Sequence, residues 1–360
     1  MKSFKNVMVK YSSVFKVFRS LFIGLLIGGI ILLLSGYNPI EAYGQMLLGV
    51  ISKPQYISWT VIKATPIILT GLSVAFAFRT GLFNIGAEGQ FIVGTLVATI
   101  LGVSLKIPSF IHVPVVIVGA IFAGGIYGAF AGYLKAKFKV NEVISTIMLN
   151  WIALYVANYF VYLPSIKKVG SESTYDISET AKITTTLLNE LTGRGVKNNW
   201  GVIIAIIVVI IAAFYLFRTT KGYELRAVGL NKHGAKYAGI NINKATIRSM
   251  FIAGALAGLA GAVHVMGVTY HISKLSISEN YGFNGIAVSL LAANSPIGVI
   301  FAGLFFAGMQ YGNAKMQFIG IPSEVINIIF GLIIFNTALS SKKNNLFSKF
   351  YLKLTKGGTI

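Results

Sequence analysis

The sequence predicts an all-α protein, a polytopic bundle of transmembrane helices, and three observations carry that prediction. Hydrophobic residues fill 55% of the 360 positions and charged residues only 11%, well below the roughly 25% charged of soluble domains. The mean hydropathy is +0.74. Apolar runs recur along the chain at lengths that approach or exceed the roughly 20 residues needed to cross a bilayer.

Composition also excludes chemistry. Cysteine is absent, which removes disulfides, zinc thiolates and thiol nucleophiles. His112, His233, His264 and His271 have no metal-ligand spacing and read as loop or helix-end residues. A net charge of +21 suits nucleic acid in a soluble protein. In a membrane protein, excess Lys and Arg more often records which loops stay inside the cell.

In chain order, residues 1–20 carry Lys2, Lys5, Lys10, Lys16 and Arg19, with Phe4, Met8, Tyr11, Phe15 and Phe18 at helical spacing. That pattern suits a basic amphipathic helix on the cytoplasmic membrane surface, and equally a frayed basic tail. The membrane domain is expected over 21–340. Its first span, 21–34, resembles a signal peptide in length, but no small-x-small cleavage site follows it. Further spans are expected near 57–78, 84–104, 112–134, 142–163, 200–217 and 248–268, then across 283–312 and 322–340. A single crossing by 283–312 would leave the basic tail, 341–360, outside. Breaking that region at Asn294-Ser295-Pro296 gives about ten segments, with both termini and most basic residues cytoplasmic.

Two hydrophilic loops interrupt the spans. Residues 164–199 are external in this topology and nearly balanced in charge, a place for a soluble partner to dock or a plain solvated loop. Residues 218–248 are internal and basic. Their apolar residues and regularly placed glycines suggest short helices with a packing surface. Glycines four apart at Gly124, Gly128 and Gly132, and at Gly254 and Gly258 with Gly261 following, mark faces where helices approach closely.

The stretch Gly81-Leu-Phe-Asn-Ile-Gly-Ala-Glu-Gly-Gln90 stands out between two apolar runs. Asn84, Glu88 and Gln90 are costly in hydrocarbon, and a plain anchor has no use for them. Phe283-Asn284 repeats Phe83-Asn84 at the head of another run. Glu142-Val-Ile and Glu324-Val-Ile head two more, and Gly71-Leu matches Gly258-Leu. Segments 2–5 laid on 7–10 in this way are offset by an odd number of spans, which implies an inverted-topology repeat with a pathway along its interface. Glu88, Glu142, Asn84, Gln90, Asn150, Phe283 and Phe83, with Asn284, are the candidate pathway or gate residues, the two phenylalanines being placed to stack on a flat ligand. Helix-dipole matching explains Glu142 and Glu324 equally well, and the amides suit helix bridging as well as solute.

No lysine follows a glycine anywhere, so no phosphate-binding P-loop is present. No catalytic triad or HExxH motif appears either, and no catalytic or metal site is assigned. Two transport classes remain open: an ion-coupled secondary transporter, or the membrane subunit of an ATP-driven importer.

Four motifs resemble a known family. Besides Gly81 to Gln90, they are Asn141-Glu-Val-Ile-Ser-Thr-Ile-Met-Leu-Asn150, Leu225-Arg-Ala-Val-Gly-Leu-Asn231 with Tyr237-Ala-Gly-Ile240, and Tyr281-Gly-Phe-Asn-Gly-Ile-Ala-Val288. They are similar to bacterial ABC transporter permeases of the nucleoside importer type, within the ribose and branched-chain amino acid permease group. The resemblance implies a non-enzymatic subunit in the bacterial plasma membrane that translocates nucleosides, or alternatively a simple sugar such as ribose or galactose. It implies a second homologous permease, a cytoplasmic ATPase that holds the ATP and magnesium, and an external nucleoside-binding lipoprotein. This chain itself would hold no cofactor. The loop bearing Gly222, Leu225, Arg226, Ala235, Tyr237, Ala238 and Gly239 matches the ATPase-coupling position. Relatives often carry Asp where this chain has Asn284, which puts a required negative charge there in doubt.

Overall fold

The computed structural model describes residue 19 and residues 21–187, 189–193 and 195–341. The basic N-terminal stretch and the basic tail lie outside these residues except at their innermost positions. Among the described residues the structure is helical, with no strand and only isolated bridges at Lys167–Thr174, Ser173–Ser273 and Thr184–Asn199.

Helices α1 (Leu21–Leu34) and α2 (Pro39–Ile51) meet at a bend of 119°. They are followed by α3 (Pro54–Arg79), α4 (Ala87–Ser104), α5 (Ser109–Phe138), α6 (Glu142–Val161) and α7 (Gly201–Arg218). The basic loop folds as α8 (Thr220–Leu230) and α9 (Lys232–Tyr237), as the sequence led one to expect. Then come α10 (Ile242–His264), α11 (Tyr281–Leu291), α12 (Pro296–Phe318) and α13 (Ser323–Ser341). Among the described residues, seven helices are long and apolar enough to cross a membrane, or up to eight with the bent pair, so the chain is a helical membrane protein.

The expected count of about ten does not follow from helix length. α11 has 11 residues, which rise about 16 Å, roughly half the 30 Å hydrocarbon core. The break expected after it is present: Ala293 and Asn294 take left-handed φ of 50° and 56°, and Pro296 opens α12. The α2 helix is an element the sequence reading missed, although Asn38 caps it by accepting the Ile40 N–H at 3.0 Å. A second correction concerns the Phe-Asn echo. Phe283-Asn284 lies in the first turn of α11, but Phe83-Asn84 lies in an irregular segment, because α4 starts only at Ala87. Glycine at Gly81 (φ 73°) and Gly86, with the Asn84 side chain bonding back to the Gly86 N–H at 3.1 Å, favour a turn over an earlier helix start.

The described residues fall into two compact units. In Leu47–Gly312, α3 and α10 are the most enclosed helices. α10 is clasped by α4 and α5 where small residues let backbones touch. A Cβ at Gly254 would sit 2.2 Å from the Gly124 carbonyl oxygen, one at Gly258 2.3 Å from that of Ala120, and one at Gly94 2.3 Å from that of Gly258. The glycine faces read from the sequence are thus true helix contacts, as befits association in lipid, where close van der Waals packing replaces hydrophobic drive. On α3, Gly71 faces Val288 of α11 and Val299 of α12. In the other unit, α1 packs on α13 through Gly24 against Ile333 and Gly28 against Ile329, and Tyr43 Oη donates to Leu25 O at 2.8 Å.

Candidate functional site

The polar residues of Gly81–Gln90 gather inside the larger unit. Asn84, Glu88 and Gln90 are at most 1% exposed, so each must find partners within the protein. Asn84 Nδ2 donates to Gln90 Oε1 at 2.9 Å, and Gln90 Nε2 returns a bond to Asn84 Oδ1 at 3.2 Å. Asn150, reaching across from α6, accepts the Gly89 N–H at 2.8 Å and donates to Ile85 O at 3.0 Å. These amides pin the irregular segment to α4 and α6.

Glu88 reaches furthest. Its two oxygens accept the backbone N–H groups of Asn280 at 2.9 Å and Gly282 at 2.6 Å. It therefore caps α11, whose first N–H groups have no partner within their own helix, and sets a negative charge at the positive end of its dipole. The contact demands glycine: a Cβ on Gly282 would lie 2.2 Å from the Glu88 nitrogen. Thr70 Oγ1 also holds the Tyr281 carbonyl at 2.9 Å.

The remaining candidates sit differently. Glu142, the first residue of α6, pairs with Lys135 at the end of α5, and the Phe83 N–H lies against its carboxylate. Phe83 stacks on Phe78 with centroids 5.1 Å apart. Phe283 is exposed and Asn284 half-buried, and neither side chain is tied into the Glu88 network. The structure thus brings together Asn84, Glu88, Gln90 and Asn150, holds Phe83 and Glu142 beside them, and leaves Phe283 and Asn284 open.

One group escaped the sequence reading. His264, at the end of α10, is 5% exposed and its Nε2 lies 3.5 Å from Glu279 Oε2. Its ring packs 4.6 Å from Tyr281 and 5.8 Å from Phe91. By hydropathy Glu279 counts as a loop acid and His264 as a helix end. The only local signal is that Glu279 stands two residues before the Tyr281 motif.

The coupling candidates divide into a holding face and a presenting face. Gly222, Leu225 and Ala235 are buried against the body, and Arg226 stacks on Phe217 at 5.3 Å. Tyr237, Ala238 and Gly239 are exposed, Tyr237 almost fully. Leu230, the last residue of α8, is also exposed. α8 also rests on the turn before α4: a Cβ on Gly229 would fall 2.2 Å from Arg79 O and 3.0 Å from Gly81 N. On α8, Glu224 is flanked by Lys221 at 2.8 Å and by Arg248 of α10 at 3.3 Å, which hold its carboxyl below the usual range, mainly through the Lys221 bond.

Buried polar groups joining broken helix heads, inside a bundle of apolar spans with a helical basic loop, define a multi-pass membrane permease. The chain belongs to the family described as branched-chain amino acid transport system / permease component, whose model matches residues 56–338. It is 40% identical over 322 residues to the guanosine ABC transporter permease protein NupP of Bacillus subtilis, covering 89% of this chain and 92% of that protein. It is also 40% identical over 322 residues to the nucleoside ABC transporter permease protein NupB of Lactococcus lactis, covering 88% of each. A more distant relative, the glucose ABC transporter permease protein TsgB13 of Haloferax volcanii, is 28% identical over 316 residues, covering 86% of this chain and 83% of that protein.

Proposed function

We propose that this chain is the membrane subunit of an ATP-driven importer that translocates nucleosides delivered by an external binding protein. The observation that carries the reading is its 40% identity, along nearly nine-tenths of its length, to permease proteins named for guanosine and for nucleosides. A simple sugar is the second reading, favoured by the lower but equally extended likeness to a glucose permease protein.

In this reading a second permease completes the pathway, and a cytoplasmic ATPase binds ATP and magnesium and docks on the face that includes Leu230 and Tyr237. Both termini are cytoplasmic and residues 164–199 external, as the basic loops require. Segments 2–5 and 7–10 form an inverted repeat. Its support is a crossed exchange of neighbours: Gly71 on α3 faces α11 and α12, and its match Gly258 on α10 faces α4 and α5. Movement of α8 passes through the Gly229–Gly81 contact to the turn before α4, then through Glu88 to the head of α11. Phe283 and Asn284 meet the solute, and Asn84, Glu88, Gln90, Asn150, Phe83 and Glu142 form the hinge beside it.

The test is reconstitution in liposomes. The permease pair, ATPase and loaded binding protein together should take up labelled guanosine only when ATP is supplied. Uptake by this chain alone, driven by an ion gradient, would establish a secondary transporter instead.

A further inference from the structure

The pair His264 and Glu279 has no part in the hinge just described, yet it sits directly at the head of α11. α11 is tied at its far end to the α8 side of the bundle, since Arg79 Nε donates to Asn294 O at 2.8 Å and Arg79 O meets Gly229 of α8. The 11 residues of α11 rise only about 16 Å from that end, so its head, with Glu279 just before it, stops about halfway through a 30 Å core. The chain between α10 and α11 therefore enters the bundle from the opposite side. Ionisable side chains at such depth are costly and face a water-filled path or a partner. Glu279 has such a partner: one oxygen faces His264 Nε2 at 3.5 Å, and its side chain keeps 35% exposure.

His264 is a poor purely structural partner. Its Nδ1 is buried without a hydrogen-bond partner among the described residues, which costs about 1–3 kcal/mol for such a group. The ring is fixed by Tyr281 and Phe91, themselves 5.0 Å apart. The helix directly after it, Val265–Thr269, is a π-turn, a distortion frequent at functional sites.

We propose that Glu279, positioned by His264, is a solute-reading residue of the pathway and takes the vicinal hydroxyls of a ribose ring. An ionised carboxylate is acceptor-only with two oxygens, the complement of two adjacent O–H donors, and the Tyr281 ring, packed 4.6 Å from that of His264, supplies an apolar surface beside it. The inference rests on the nucleoside reading above and deepens it.

The test compares guanosine with 2′,3′-dideoxyguanosine in the complete reconstituted transporter, with the binding protein saturated by each in turn and its occupancy measured. Glu279→Gln should lower guanosine turnover about tenfold, the effect of weakening a charged hydrogen bond, while dideoxyguanosine turnover stays at the wild-type rate. Glu279→Asp, which keeps the charge, should fall between. Co-purification of the ATPase with each variant checks assembly. Equal loss for both solutes makes Glu279 a latch for His264 and overturns the inference, as does guanosine turnover unchanged in Glu279→Gln. Either result leaves the nucleoside reading standing. A wild-type complex that moves glucose but neither nucleoside overturns that reading, and this inference with it.

Discussion

The Glu88 carboxylate on α4 accepts the backbone N–H of Gly282 at 2.6 Å, across 194 positions of sequence. With the Asn280 bond it joins the heads of two helices by one side chain. Replacing Glu88 with Ala leaves two helix-start N–H groups unpaired in the interior, at a cost of about 2–4 kcal/mol. Glu88→Gln keeps an acceptor and should lose about half as much. Thermal unfolding in detergent should rank wild type above Gln and Gln above Ala, with uptake in the same order. An Ala variant as stable as wild type would remove Glu88 from the hinge.

Gly229 is the second link. Gly229→Ala places a methyl group into the Arg79 carbonyl and forces α8 off the turn before α4, an overpacking cost of about 1–3 kcal/mol. The expected outcome is ATPase still bound, measured by co-purification, with ATP hydrolysis no longer yielding uptake. Retained coupling would break the proposed route from α8 to α11.

The docking face is tested at positions that do not hold the fold. Tyr237 is 95% and Leu230 88% exposed, so Tyr237→Ser and Leu230→Ser should change stability by no more than about 0.5 kcal/mol. ATPase co-purification should nevertheless fall sharply in the double variant. Bulky replacement of Ala235 is a weaker test, because Ala235 is buried and the helix itself would shift.

Acid should loosen the segment that leads into α11. Lys274 and the Tyr162 hydroxyl bind Glu172 at 3.3 and 3.0 Å. Tyr162 first, then Lys274, holds the Glu172 carboxyl below its ordinary range, while Glu172 raises Lys274. A depressed carboxyl contributes stability that is present above its unfolded value and lost as pH falls through the lower folded value. The raised lysine contributes below its unfolded value and loses that only as pH climbs through the higher folded one. Amide exchange over 271–277, corrected for intrinsic rates, should therefore be flat near neutrality and faster below about pH 4, the ordinary glutamate region. Glu172→Gln should abolish the acid step.

Much of the architecture was legible along the chain because bilayers impose a one-dimensional rule. Runs of apolar residues long enough to span must be helices, since lipid offers the backbone no other hydrogen-bond partner. Gly124 and Gly258 announced close packing by spacing alone, and a break at Asn294-Ser295-Pro296 followed from the proline and the charge of the tail; the structure starts it slightly earlier, with Ala293 already left-handed. The motif at Gly81–Gln90 marked the right place but suggested too direct a role. Asn84 and Gln90 bond each other, and Asn150 bonds the backbone of Ile85 and Gly89 from another helix; partners on a different helix leave no trace in local pattern.

From sequence alone came the helical membrane class, most helix positions and the permease resemblance, because hydrophobic period and short motifs are local quantities. The tertiary structure alone decided that Glu88 caps α11, that Gly229 rests on the turn before α4, and that His264 meets Glu279. Those facts depend on which backbones approach closely in three dimensions, where Gly282 leaves room for Glu88.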